Sequence, residues 1–274
     1  MLSNFHTHTN FCDGADSPEE IILYAIDSGF SALGLSGHAY TPYDLRYCMK
    51  NTDGYISDVK RLKEKYKNKI QVYLGVEEDS FSFVNRADFD YIIGSCHYFC
   101  ADEKYYPVDS NEDYFKRCLE LFDYDIVKLA NTYYGGFCQY IKNRKPDIVG
   151  HFDLITKFDE VNEPRFLSND EYIKISEKYM LEAMKNDVVF EVNTGAISRG
   201  YRHFPYPNEN LLFLLKKHSG KIILSSDSHK VGTLDFYFKE TKEEPYFEVL
   251  DCGSVIVLCF ELIKAIREKI KIEE

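Results

Sequence analysis

Six of the eight histidines in this 274-residue chain stand where a strand-like run ends. His6 and His8 follow MLSNF, His38 follows SALGLSG, His97 follows DYIIGSC, His151 follows DIVG, and His229 follows KIILSSDS. Acidic residues share these places. Glu77 follows QVYLGV, Asp227 comes two residues before His229, and Asp13 lies in the loop five residues after His8. Side chains drawn from so many separate runs meet only if the runs are strands whose C-terminal ends share one rim, the place where barrel folds build their sites. Imidazoles and carboxylates gathered on such a rim imply a multinuclear metal centre.

Seven strands are predicted, over 2–8, 31–37, 70–76, 90–97, 147–152, 188–194 and 221–227. They are apolar runs rich in Val, Ile, Leu and Tyr, the composition of buried parallel strands. Ser17-Pro18-Glu19-Glu20 reads as a capping box with proline at the first helical position. Ser168-Asn169-Asp170-Glu171 repeats the box before IKISEKYMLEAMK. Residues 53–67, 111–130 and 257–272 also read as helices, and the connection from Glu77 to the fourth strand as short and irregular. Strand and helix in alternation predict an α/β fold with a parallel sheet. Candidate residues after nearly every strand favour a barrel, since an open doubly wound sheet concentrates them at its switch point. With no linker, short-period repeat or low-complexity tract, residues 1–274 are expected to form a single domain.

A hydrophobic content of 45% is enough for a full core and speaks against disorder. The net charge of −12 disfavours a long nucleic-acid partner, whose phosphates need Lys and Arg. A phosphate substrate remains compatible, because bound divalent ions reverse the local field. The eight cysteines include no CxxC pair, no secretory leader precedes His6, and no apolar run reaches membrane-spanning length. A cytoplasmic protein with free thiols and no membrane partner is expected.

His6-Thr7-His8 places two imidazoles at i and i+2, on one face of a strand and about 6.6–6.8 Å apart along it. Asp227-Ser228-His229 repeats that geometry. One such pair also describes a polar strand end facing water; two pairs with three further strand-end histidines outweigh that reading. Asp13 by itself reads as an Asp-Gly turn. Of Glu77-Glu78-Asp79, Glu77 is nearest the strand end, Asp79 shares its face, and one of the three is expected to be merely solvated. Asp153, two residues after His151, is expected to orient a ligand from behind. His203 and His218 read as structural or surface residues, and Cys96 and Cys100 beside His97 as structural cysteines rather than thiolate ligands. No Gly-rich phosphate loop, G-x-S-x-G elbow or local Cys-His signature is present.

The motifs F-H-T-H-T-x-F-C-D-G, S-P-E-E, L-S-G-H, G-x-E, G-S-x-H-Y, G-H-F-D, E-V-N-T-G and S-D-S-H run in that order from residue 4 to about 232. Together they resemble the polymerase and histidinol phosphatase (PHP) superfamily, and within it the histidinol-phosphatase branch. The tail, YFKETKEE and then DCGSVIVLCF, follows the family's closing segment only loosely. The resemblance implies a distorted (β/α)7 TIM-like barrel with the metal site at the C-terminal ends of its strands. It implies three divalent transition-metal ions. His6, His8, Glu77 and Asp227 would hold one; Glu77, His97 and His151 a second, with Glu77 bridging; Asp13, His38 and His229 the third. Asp13 is thereby promoted from turn residue to ligand.

The same resemblance offers Arg199 and Arg202 in N-T-G-A-I-S-R-G-Y-R for a substrate phosphate, which arginine pairs with bidentately, and more loosely Lys157. The implied reaction is hydrolysis of a small phosphorylated amino alcohol, L-histidinol phosphate, by a hydroxide held between two ions. Catalytic side chains are expected among Asp13, His229 and Asp227, the first two to assist the leaving group's proton. Zinc, manganese or iron suits the donor set. Tyr40, Tyr43, Tyr98 and Phe99 follow ligand motifs and are either substrate walls or rim packing. Three alternatives stand beside this one: a PHP phosphoesterase for nucleotides or oligonucleotide ends, a phosphotyrosine phosphatase, and a non-catalytic binding module. The last is disfavoured because the ligand set is complete.

Overall fold

The computed structural model describes residues 2–160 and 165–244. The chain runs through β1 (Ser3–Asn4), α1 (Pro18–Asp27), β2 (Ala32–Leu35), α2 (Thr52–Tyr66), β3 (Gln71–Asp79), β4 (Tyr91–Ser95), β5 (Tyr98–Ala101) and β6 (Lys104–Pro107). It continues through α3 (Glu112–Leu121), α4 (Ile126–Arg144), β7 (Ile148–Val149), α5 (Asp170–Met184), β8 (Val189–Asn193), α6 (Gly195–Ser198), α7 (Glu209–Lys217), β9 (Lys221–Ser225) and α8 (Phe238–Lys242). All seven predicted strands are present, and they pair in parallel in the order β1-β2-β3-β4-β7-β8-β9. A parallel bridge between Thr7 and Ser228 joins the two ends of this sheet. The His8 amide donates to the Ser228 carbonyl at 2.8 Å, and the Ser228 amide to the His6 carbonyl at 3.1 Å. The result is a distorted (β/α)7 barrel.

Side-chain alternation along each strand separates two environments. On β3, Val72, Leu74 and Val76 face outward to a core shared with α1 and α2, while Tyr73 belongs to an inner cluster with Phe5, Ala32, Tyr91, Ile93, Ile148 and Ile223. Tyr91 fills much of the interior. Its hydroxyl donates to the Phe5 carbonyl at 2.5 Å. A Cβ at Gly34 or Gly75 would come within 2.1 or 2.2 Å of the Tyr91 side chain, so the facing strands need glycine for this ring to fit. A packed hydrocarbon plug therefore sits below the upper rim.

Local signals explain most helix starts. Ser17 accepts from the Glu20 amide while Glu20 accepts from the Ser17 amide, completing the expected capping box. The second box is corrected: Asn169, not Ser168, caps α5, accepting from the amides of Glu171 and Tyr172. The helix expected over 111–130 is divided. Asp123 and Tyr124 take positive φ (52° and 61°), and Asp125 caps a new helix by accepting from the Lys128 amide. The antiparallel hairpin β5–β6 was not expected. Its turn residues Asp102 and Glu103 both have positive φ, as a type I′ turn requires, but lack the Asn-Gly signature of one. The predicted helix 257–272 lies outside the described residues. Among the described residues no helix is long and apolar enough to cross a membrane, and the six described cysteines are free.

Tyr91→Ala is expected to cost about 3–5 kcal/mol of stability, the range for emptying a buried aromatic site. Tyr91→Phe should cost about 1 kcal/mol for its lost hydrogen bond. Urea denaturation measures both, and a Tyr91→Ala loss below about 1 kcal/mol would show that the plug is dispensable.

Candidate metal centre

The inward positions of β3 rise from Tyr73 through Gly75 to Glu77, so the strand that anchors the plug also lifts a carboxylate onto the rim. Glu77 is 1% exposed. Its Oε2 lies 2.8 Å from His38 Nδ1, 3.3 Å from His6 Nε2 and 3.5 Å from His8 Nε2. Its Oε1 lies 3.0 Å from His151 Nε2 and 3.4 Å from His97 Nε2, and accepts from the Ser95 hydroxyl at 2.6 Å. Asp227 Oδ1 is 3.0 Å from His8 Nε2 and 3.5 Å from His6 Nε2. Asp13 approaches His8, His229 and His38 at 3.5, 3.4 and 3.7 Å. All nine expected ligands are thus gathered in one place. The barrel-closing bridge brings this about for two motifs: pairing Thr7 with Ser228 sets His6-Thr7-His8 beside Asp227-Ser228-His229. Asp227 itself has φ 47°, a left-handed conformation strained for a residue with a Cβ.

Four subsets of these residues have donor atoms within 4.8 Å of one another: His8, Asp13, His38 and His229; His6, His8 and Asp227; His6, Glu77 and His151; His38, Glu77 and His97. His6 Nε2, His8 Nε2 and Glu77 Oε2 are buried and engaged by no hydrogen bond. Buried polar atoms are ordinarily satisfied. Lone pairs converging on shared space fit divalent cations, and a donor set of imidazole and carboxylate suits zinc, manganese or iron. The electrostatics agree. Burial pulls the His6 pKa down, but Glu191, Glu77 and Asp227 more than offset it and raise it to about 10. Burial likewise opposes ionisation of Glu77, yet the surrounding histidines hold it well below the usual carboxylate range. In the metal-free centre, protons and cations therefore compete for the same nitrogens.

Two further carboxylates hold the rings from behind. Glu191 meets His6 Nδ1 at 2.6 Å and accepts from the His151 amide at 2.9 Å, from Asn193 Nδ2 at 2.8 Å and from the Ser225 hydroxyl. Asp79 accepts from the His97 amide at 2.9 Å, lies 3.2 Å from His97 Nδ1, and accepts from the Tyr43 hydroxyl at 2.5 Å. Such partners set ring orientation and tautomer. Glu191 escaped the sequence reading, although an acid at an inward position of a buried strand was a usable signal. The expectation of one solvated acid in Glu77-Glu78-Asp79 is also corrected. Glu78 is buried and accepts from Tyr140 and twice from Arg144. Asp153 does not serve His151: it accepts from the amide and side chain of Asn208, fixing the loop before α7.

The profile of the PHP domain matches residues 4–195. The chain belongs to the PHP domain family. It is 25% identical over 255 residues to a Schizosaccharomyces pombe protein named probable histidinol-phosphatase, covering 84% of this chain and 81% of that one. It is 23% identical to the histidinol-phosphatase of Bacillus subtilis, covering 85% of this chain and 96% of the relative. The fold also matches a Lactococcus lactis histidinol phosphate phosphatase solved with zinc, L-histidinol and phosphate, at a TM-score of 0.66 and 19% identity over 90% of this chain and 92% of that one.

In this PHP domain the ligand cluster opens onto a cleft of about 420 Å³. Arg199 lines it, donating to Asp227 Oδ2 at 2.8 Å and to the Asp227 carbonyl at 3.1 Å. Arg202 does not line it. It is 3% exposed, donates to Thr156 at 2.9 Å and Glu160 at 3.2 Å, and lies over the Tyr206 ring at 4.4 Å, which makes it a structural residue. Lys157 lines the cleft with its ammonium tied to the Asp109 carbonyl at 2.6 Å. Tyr98 and the unanticipated Tyr47 form an aromatic wall beside His97, whereas Phe99 is buried against Tyr106 and Phe122 and Tyr40 is exposed. His203 and His218 are exposed, as expected.

Glu191→Gln is expected to weaken metal retention by about 10–100-fold, the usual effect of removing a carboxylate behind a ligand histidine. His218→Ala should leave retention unchanged. Dialysis against a graded chelator followed by elemental analysis compares the two; equal retention in both would count against the role of Glu191.

Proposed function

We propose that this PHP domain is a metal-dependent phosphomonoesterase that converts L-histidinol phosphate to L-histidinol and phosphate. The observation carrying this reading is the position of Arg199, on the wall of a cleft whose floor is the ligand cluster: a guanidinium and a cation site facing the same space suit a phosphate monoester. The names of the relatives and the contents of the Lactococcus structure support the amino alcohol. The ligand grouping supports three ions, drawn from zinc, manganese and iron, with Glu77 shared between them. Bound ions supply charge neutralisation at phosphoryl oxygens and a water acidified towards neutral pH.

The chain's own residues do the rest. Arg199 donates to the phosphate with the N–H groups that Asp227 leaves free. Asp227 thereby couples the cation site to the phosphate site. His229 Nδ1 lies 3.0 Å from the Asp227 carbonyl and 3.3 Å from Arg199 Nη1, which leaves Nε2 to face the cluster, 3.4 Å from Asp13. Asp13, with a side chain 31% exposed at the edge of the cluster, passes a proton from solvent to the leaving oxygen. Free cysteines among the described residues support a cytoplasmic setting, and closure of the barrel at Ser228 supports one domain for the described part of the proposed 1–274 unit.

Metal-loaded protein is expected to approach three ions per chain by elemental analysis, because the ligand set exceeds one tetrahedral site. A ceiling of one ion would sink the proposed centre. Histidinol phosphate should be cleaved with kcat/KM at least about tenfold above a generic aryl phosphate, roughly 1.4 kcal/mol of transition-state binding. Equal rates on histidinol phosphate, nucleotides and aryl phosphates would leave only a general phosphoesterase. Arg199→Ala should lower kcat/KM for every monoester, and Arg202→Ala should lower stability instead.

A further inference from the structure

The cleft wall carries two acids outside the ligand cluster, Asp44 and Asp109. They differ in what their oxygens have left to offer. Asp44 is saturated: it accepts from the Arg46 amide at 3.1 Å, from Arg46 Nε at 2.8 Å, from Arg46 Nη2, and from the Tyr98 hydroxyl at 2.8 Å. Asp109 is not. Among the described residues no hydrogen-bond donor reaches its carboxylate. Lys157 Nζ stands 3.7 Å from Oδ2 and donates instead to the backbone carbonyl of Asp109, with its ammonium over the Tyr201 ring at 4.7 Å.

The position of Asp109 is fixed rather than incidental. The Val108 amide donates to the His97 carbonyl at 2.9 Å, so the chain leaving β6 is pinned to a residue of the ligand cluster. Asp109 follows at once, with a side chain 25% exposed and facing the cleft. A half-buried carboxylate with unused lone pairs is costly by itself and is relieved by a ligand that brings its own N–H donors and positive charge.

We propose that the Asp109 carboxylate receives the ammonium of the leaving amino alcohol and so determines substrate preference at this site, an assignment that rests on the phosphomonoesterase reading above. The phosphate is then recognised at the ligand cluster and Arg199, and the cation at Asp109. An unprotonatable or missing amine leaves the Asp109 carboxylate without a hydrogen-bond donor, its Lys157 neighbour staying at 3.7 Å, and sites built around a polar contact reject analogues that lack it.

The test compares L-histidinol phosphate with its desamino analogue, 3-(imidazol-4-yl)propyl phosphate, in metal-loaded wild type, Asp109→Asn and Asp109→Glu. Asp109→Asn keeps side-chain size and the backbone carbonyl that holds Lys157, so it removes only the charge. Wild type should prefer the amine by at least about tenfold in kcat/KM, and Asp109→Asn should bring that ratio to within about threefold of unity, mainly through KM for histidinol phosphate. Asp109→Glu should recover part of the preference. Turnover of the desamino analogue and elemental analysis report folding and metal load in the same samples. A preference that survives in Asp109→Asn, or an equal fall on both substrates, overturns the assignment and leaves the phosphatase reading standing. Wild type that hydrolyses aryl phosphates but not histidinol phosphate overturns that reading, and this assignment with it.

Discussion

A single buried carboxylate organises the rim of this barrel. Glu77 lies within 3.5 Å of nitrogens from five histidines, which come from the segments after β1, β2, β4 and β7. An ionised carboxylate out of water is expensive unless charge or strong hydrogen bonds surround it. Here the compensation comes from the surrounding imidazoles and from the Ser95 hydroxyl. The carboxylate and the imidazoles therefore stabilise one another only as a set, and the set exists only if the sheet closes. The Thr7–Ser228 bridge that closes it is also what places the first and last ligand motifs together.

Packing beneath the rim explains how so much charge is tolerated. The inner face of β3 changes from Tyr73 to Glu77 within five residues, and that of β4 from Tyr91 through Ile93 to Ser95, which hydrogen-bonds Glu77. The packed hydrocarbon below leaves the rim groups only each other and the cleft as partners. Behind them, Glu191 on β8 and Asp79 on β3 hold the rings of His6 and His97, so these two rings are oriented from strand positions.

Much of this was legible in the sequence because strand ends are marked twice, by where apolar runs stop and by the histidines that follow. The seven strands and eight of the nine ligand candidates were read that way, whereas Asp13 came only from the family resemblance and the helix start at Ser17 from its own Ser-Pro-Glu-Glu signature. What stayed hidden depends on distant partners. Glu191 looks like any strand acid until His6 stands beside it. Arg199 and Arg202 are three residues apart in one loop, and only the fold sends one to the cleft and the other beneath Tyr206. The β5–β6 hairpin and the break at Asp123 use left-handed residues other than glycine, for which composition provides little warning.

The claim that Glu77 is shared between ion sites is tested most directly by metal titration of Glu77→Ala against His38→Ala, with elemental analysis of folded protein after loading. Loss of a residue that serves one ion should remove about one equivalent, and loss of the shared carboxylate about two. Glu77→Ala is predicted to retain fewer ions than His38→Ala. Equal retention in the two variants, or full loading of Glu77→Ala, would contradict the account.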